Sequence, residues 1–225
     1  MFKLKHLYMI TLLLGASSVS AQTPQQWRDS LSVLSKQISQ SVYSADLHLK
    51  KAAVNLQLQE WNYAIEEYNL VLRNDPKNLA ALFYRAFANN NLRHYDLVKN
   101  DYEAFLKIAP RNMEARLGLA NVYIKLNRHT EAMNMMNNLV ESYPDSSVVY
   151  AARAGLEKDL KFYDAALYDW NEAIRLKPDN RDFVISKVDI LLMMSNKKEA
   201  KLVLDETVRK GTPKGILREW YLKCK

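Results

Sequence analysis

Large and small apolar side chains return at fixed places along this chain every 34 residues, and the polar residues between them keep the same rhythm. Pro76, Pro110, Pro144 and Pro178 mark the beat. A proline lacks the amide that a helix interior uses, so the spacing predicts a helix that stops at the same point in every unit. With the proline counted as residue thirty-two, the units run 45–78, 79–112, 113–146, 147–180 and 181–214. In the fifth unit the proline falls one place late, at Pro213.

The eighth position of the units reads Ala52, Ala86, Ala120, Ala154 and Val188, and the twentieth reads Ala64, Val98, Ala132, Ala166 and Ala200. Small residues on either side of a turn let two antiparallel helices approach closely. Large apolar partners stand at position fourteen (Leu58, Leu92, Leu126, Leu160, Met194), at twenty-four (Tyr68, Tyr102, Met136, Trp170, Leu204) and at twenty-eight (Leu72, Leu106, Val140, Ile174, Val208). Ser44, Asn78, Asn112, Ser146 and Asn180 precede the units, each able to accept a hydrogen bond from a free amide at a helix start. Every unit therefore reads as a helix hairpin. In the second, the expected elements are a helix over 79–92, a turn at 93–95 and a helix over 96–108.

This pattern resembles the tetratricopeptide repeat family over nearly all of the chain beyond residue 21. The stretch WNYAIEEYNLVLRNDP from Trp61 carries the likeness most clearly, with DAALYDWNEAIRLKPDN from Asp164 behind it. Two columns depart from the family: its bulky fourth position is His48 and Arg116 in two units, and its seventh-position leucine survives only as Leu119. The resemblance implies an all-α fold, a right-handed superhelical solenoid of about five helix hairpins over 45–214 with a capping helix at each end. It also implies a non-catalytic scaffold that binds a peptide segment or partner subunit in a concave groove lined by the first helix of each unit.

Ligand contacts in the family come mainly from positions two, five, six, nine, twelve and thirteen. Here the second unit offers Ala80, Phe83, Tyr84, Phe87, Asn90 and Asn91, and the third Glu114, Leu117, Gly118, Asn121, Ile124 and Lys125. Position five is apolar in all five units, which points to packing, whereas position nine varies and Phe87 stands out in it. Phe83, Tyr84, Phe87, Asn90, Asn121 and Lys125 are the candidate binding residues. Their aromatics would bury an apolar side chain and their amides would hold an extended backbone. The family's clamp for carboxylate tails of chaperones is matched only at Asn121, so such a tail is not the expected partner.

Residues 1–21 open with Lys3, Lys5 and His6, continue through an apolar run from Leu7 to Leu14 and end in small residues at Val19 and Ala21. That order predicts a cleavable secretory signal cut after Ala21. The apolar run is shorter than the roughly 20 residues of a spanning helix, and no cysteine follows it for lipid attachment. The expectation is an exported protein, periplasmic or secreted, and the alanine–glutamine junction resembles signals common in Bacteroidetes bacteria. Over 22–44, Trp27, Leu31, Leu34, Ile38 and Val42 fall at spacings of three and four and predict a helix capping the first unit. Over 215–225, Ile216, Leu217, Trp220 and Tyr221 predict a helix closing the other end.

Charge changes the picture little. The chain carries +7, or +5 without Lys3 and Lys5, which in an exported protein does not point to nucleic acid. Membrane contact is expected to be peripheral at most, through Lys214, Arg218, Lys223 and Lys225. Cys224 is the sole cysteine, so no disulfide forms within the chain. With five glycines and no linker, one continuous domain is expected.

The search for chemistry yields no site. His48, His94 and His129 have no second ligand three or four residues away, so neither a metal nor a cofactor is expected. Glycine-rich phosphate loops and nucleophile elbows are missing from the sequence. Glu66 and Glu67 are expected on a solvated helix face, and Met136, of the group Met133, Met135 and Met136, in the core. An alternative reading is a structural part of a cell-envelope assembly that uses its end caps or convex face. A third, an enzyme accessory protein, has no residue pattern behind it, and none specifies an oligomeric state.

Overall fold

A computed structural model describes residues 23–225; the expected leader, residues 1–21, lies outside them. Among the described residues there are twelve α-helices, one short 3-10 segment and no strand. In chain order the helices are α1 (Pro24–Gln40), α2 (Ala45–Gln57), α3 (Trp61–Asn74), α4 (Leu79–Asn91), α5 (Tyr95–Ile108) and α6 (Met113–Lys125). They continue with α7 (His129–Ser142), α8 (Ser147–Asp159), α9 (Tyr163–Leu176), α10 (Arg181–Met193) and α11 (Lys197–Arg209). After a 3-10 turn over Lys214–Leu217 comes α12 (Arg218–Lys223).

Local signals place these boundaries. Ser44, Asn78 and Asn112 each accept a hydrogen bond from the amide three residues on, and Asn180 accepts one from the amide two residues on, while Ser146 makes no such cap bond. Helices α3, α5, α7 and α9 all end two residues before a proline. Between the helices of every hairpin one residue takes the left-handed conformation: Gln59, Arg93, Asn127, Lys161 and Ser195, with φ between 58° and 64°. The following amide then reaches back to close the first helix, as His94 N does to Asn89 O at 2.9 Å.

The alanine columns go where the period puts them. All ten residues at positions eight and twenty are 0% exposed, which only close helix contact achieves for side chains spread over the whole chain. Position twenty-four is buried throughout. Position fourteen is less so: its residues cap the first helices at the hairpin tips, and Met194 is 37% exposed.

Backbone packing divides the chain into two compact units, one ending at Leu126 and one from Asn127 to Lys225. Even spacing suggested a single domain. The division falls in the turn of the third repeat, which has the same left-handed residue as the other turns, so nothing in the spacing marks it. In the first unit α1 packs on α2, α2 pairs with α3 and α4 with α5, α3 lies against α4, and α5 against α6. Leu34 of α1 is buried, but the helix ends at Gln40, so Val42 falls outside the expected stripe and is exposed.

In the second unit one core gathers Ala154, Ala166, Trp170, Ala173 and Ile190. Another gathers Val188, Leu191, Ala200, Leu204 and Leu217, with Trp220, Tyr221 and Cys224 against it. The C-terminal segment thus folds over α10 and α11. Trp220 donates from Nε1 to Asp189 at 2.8 Å and Tyr221 donates its hydroxyl proton to Asp205 at 2.7 Å.

Candidate functional site

All six candidate residues belong to the first unit. Phe83, Tyr84, Phe87 and Asn90 lie on α4, and Asn121 and Lys125 on α6. Helix α4 is the most aromatic of the first helices, and its rings divide by depth. Tyr84 is 2% exposed and stacks on Tyr68 of α3 with centroids 6.4 Å apart. Its hydroxyl is enclosed without a hydrogen bond, and burial pushes its pKa up to about 12. Burial, and then Tyr84, likewise raise Tyr68 well above the ordinary tyrosine value. Tyr84 is therefore part of the core rather than a surface contact.

Phe83 is half-buried and meets Tyr84, Tyr102 and Phe105 at 5.5, 5.8 and 5.8 Å, edge-on or tilted. Such a cluster holds α4 to α5 by ring contacts. The chain of contacts continues to α6, because a Cβ at Gly118 would stand 2.5 Å from Tyr102 Cζ. Glycine at position six of the third repeat is what lets the Tyr102 ring lie against the α6 backbone. The family position suggested a ligand contact at Gly118; the structure gives it a packing role.

Phe87 is half-buried, like Phe83, and stands edge-on to Trp61 at 5.9 Å. One turn further, Asn90 is exposed, while Asn91 donates its amide to Phe87 O at 2.8 Å. On α6 the half-buried Asn121 donates Nδ2 to Leu117 O at 3.0 Å, which fixes the amide and leaves Oδ1 as an acceptor. Lys125 is exposed. Between them α4 and α6 carry an aromatic edge, exposed and fixed amides and one cation. Among the described residues no group of three or more His, Cys, Asp or Glu could hold a metal ion.

One arrangement was missed by sequence reasoning. Glu67, expected in water, is buried at 7% exposure between His48 Nδ1 at 2.5 Å and Lys51 Nζ at 2.6 Å. Lys51 and Glu67 occupy positions seven and twenty-three of the first repeat. The same two positions hold Arg85 and Asp101 in the second and Arg153 and Asp169 in the fourth, each a bidentate pair. Both arginines also donate Nη1 to an asparagine of the preceding repeat, Asn69 at 2.7 Å and Asn137 at 3.0 Å. Burial pushes Asp101 up against the pull of Arg85. In these three repeats the drift of the seventh position away from leucine is thus an exchange of an apolar contact for an ion pair. Its signal was available: basic residues at seven coincide with acidic ones at twenty-three in these three units.

Residues 93–156 match the family model described as tetratricopeptide repeat. Among solved structures it is similar to a tetratricopeptide repeat protein from Parabacteroides merdae, 20% identical with a TM-score of 0.66, over 89% of this chain and 78% of that one. YrrB, a tetratricopeptide repeat protein with an unusual peptide-binding site, is 18% identical with a TM-score of 0.59, over 78% of this chain and 91% of that one. MamA from Desulfovibrio magneticus RS-1 is 15% identical with a TM-score of 0.65, over 73% and 93%. At these identities the likeness establishes the all-α repeat fold.

Among curated proteins, peptidyl-prolyl cis-trans isomerase FKBP4 of Mus musculus is 33% identical over 96 residues, 42% of this chain and 21% of that protein. The chain spans about a fifth of the length of this relative. The DnaJ homolog subfamily C member 7 homolog of Dictyostelium discoideum is 22% identical over 84% of this chain and 43% of that protein.

Proposed function

We propose that this chain is a non-catalytic scaffold that takes a peptide segment or a partner subunit against α4 and α6 of its first unit. One observation carries the reading: Phe87, half-buried and edge-on to Trp61, stands where the other repeats have Ala53, Asn121, Gly155 and Asp189, on a helix whose Tyr84 is locked into the core. A part-buried aromatic edge on a packed floor suits an anchor for a partner's apolar side chain. Asn90 and Asn121 would hold that partner's backbone through amide hydrogen bonds. The peptide-binding site named for YrrB, a protein of the same fold, supports a peptide as ligand.

Export to the periplasm or beyond belongs to the same proposal and rests on residues 1–21. The alternative that uses an end cap is less well supported, because Trp220, its most prominent aromatic, is tied to Asp189 and Leu217 beside it is fully buried.

The test is a photo-crosslinking amino acid placed at Asn90 in the full chain and irradiated in the native cell. The expected result is a discrete adduct that disappears when Phe87→Ala is added and persists with Trp220→Ala. An adduct indifferent to Phe87→Ala, or no adduct at position 90, would overturn the reading.

A further inference from the structure

Residues 197–225 hold nine basic and four acidic residues, a surplus of five. The 203 described residues carry the same surplus in total, so residues 23–196 are neutral and all of the net charge sits on α11, the 3-10 turn and α12. Three of the four carboxylates there are engaged locally: Glu206 with Lys210 at 2.7 Å, Glu219 with Lys223 at 2.6 Å, and Asp205 with the Tyr221 hydroxyl. Lys197, Lys198, Lys201, Arg209 and Arg218 make no ion pair among the described residues and are exposed.

Helical spacing orders these cations around leucines. On α11, Lys198, Leu202 and Arg209 share the face turned away from buried Ala200 and Leu204. On α12, Arg218 and Leu222, four residues apart, are exposed, whereas Leu217 and Tyr221 beside them pack against the core. Leu202 and Leu222 are 52% and 53% exposed. The two helices pack together, and Lys197 and Lys201 come close enough to Cys224 to act on its thiol.

We propose that α11 and α12 form a docking surface for a lipid bilayer carrying anionic headgroups. The charge excess calls for an anionic partner. Seven of the nine basic residues are lysines, which are strongly hydrated point charges without the fork geometry by which arginine reads carboxylates. Lysine is also depleted at protein–protein interfaces, where arginine and aromatic residues are enriched. Exposed leucines set among lysines fit a headgroup layer, into which the leucines sink while the ammonium groups stay at the phosphates.

The experiment is co-sedimentation of the full chain with vesicles of equal phosphatidylglycerol and phosphatidylcholine, and with phosphatidylcholine alone. One variant carries Lys197→Gln, Lys198→Gln and Lys201→Gln; a control removes the same charge elsewhere through Lys36→Gln, Lys77→Gln and Lys107→Gln, all exposed. Expected is binding to the anionic vesicles only, weakened by salt, falling about tenfold or more in the first variant and unchanged in the control. Retention on poly-glutamate resin serves as the acidic-protein arm. No binding to anionic vesicles, equal loss in both variants, or patch-dependent retention on poly-glutamate without patch-dependent vesicle binding would overturn the proposal. Circular dichroism of both variants separates loss of binding from loss of fold.

Discussion

Arg85 and Asp101 face each other across the second hairpin through two parallel hydrogen bonds, Nε to Oδ2 at 3.0 Å and Nη2 to Oδ1 at 2.5 Å. Arg153 and Asp169 repeat the arrangement two repeats later. Removing one partner strands a buried charge, so Asp101→Asn or Arg85→Leu alone is expected to cost about 3–5 kcal/mol. Replacing both, as Arg85→Leu with Asp101→Met, should restore stability to within about 1 kcal/mol, since a packed apolar pair avoids desolvation altogether. The third repeat already carries Leu119 and Met135 at these two positions. Urea denaturation of the two single variants and the double checks this.

Glu157 lies 6% exposed on α8, with Arg153 Nε at 3.8 Å and one carboxylate oxygen without a hydrogen bond. Burial first, then the charge of Asp169, lifts its pKa from 4.5 to about 7. The folded chain therefore keeps a proton that the unfolded chain releases near pH 4.5. Stability from this group is complete below pH 4.5 and is lost as the pH rises through 7. The fall should be on the order of 2 kcal/mol. Glu157→Gln should flatten the profile between those limits, measured as denaturation midpoint against pH.

Gly118 admits the Tyr102 ring against the α6 backbone. Gly118→Ala gains helix propensity but places a methyl inside that ring, which is 8% exposed and has little room to move. Overpacking of this kind costs about 1–3 kcal/mol. Adding Tyr102→Leu should recover part of the loss, a coupling that a double-mutant cycle by thermal or urea denaturation would show.

Five non-glycine residues hold left-handed backbone at the hairpin turns. A side chain there costs about 1–2 kcal/mol, partly offset on substitution by the greater freedom of glycine in the unfolded chain. Lys161→Gly and Arg93→Gly should each stabilise the protein by about 0.5–1 kcal/mol. Asn127→Gly should change least, because asparagine tolerates this conformation best of the five. Melting temperatures of the three variants give the ranking.

Much of the architecture was legible before any coordinates. A small residue repeated at two fixed positions of every unit has to sit where helix backbones meet, and a cap and a proline bracket each hairpin whatever surrounds it; these are local or strictly periodic constraints. Side-chain partnership is neither. Charge alone points Glu67 to a solvated face and the family's contact position points Tyr84 to a groove, yet the rotation of α2 and α3 about each other encloses Glu67 with His48 and Lys51, and that of α3 and α4 closes Tyr84 over Tyr68. The rhythm of the chain prescribes which helices form and where their backbones touch. Three-dimensional packing alone chooses which polar groups it shuts in together, because a desolvated charge survives only where another element delivers its counterpart.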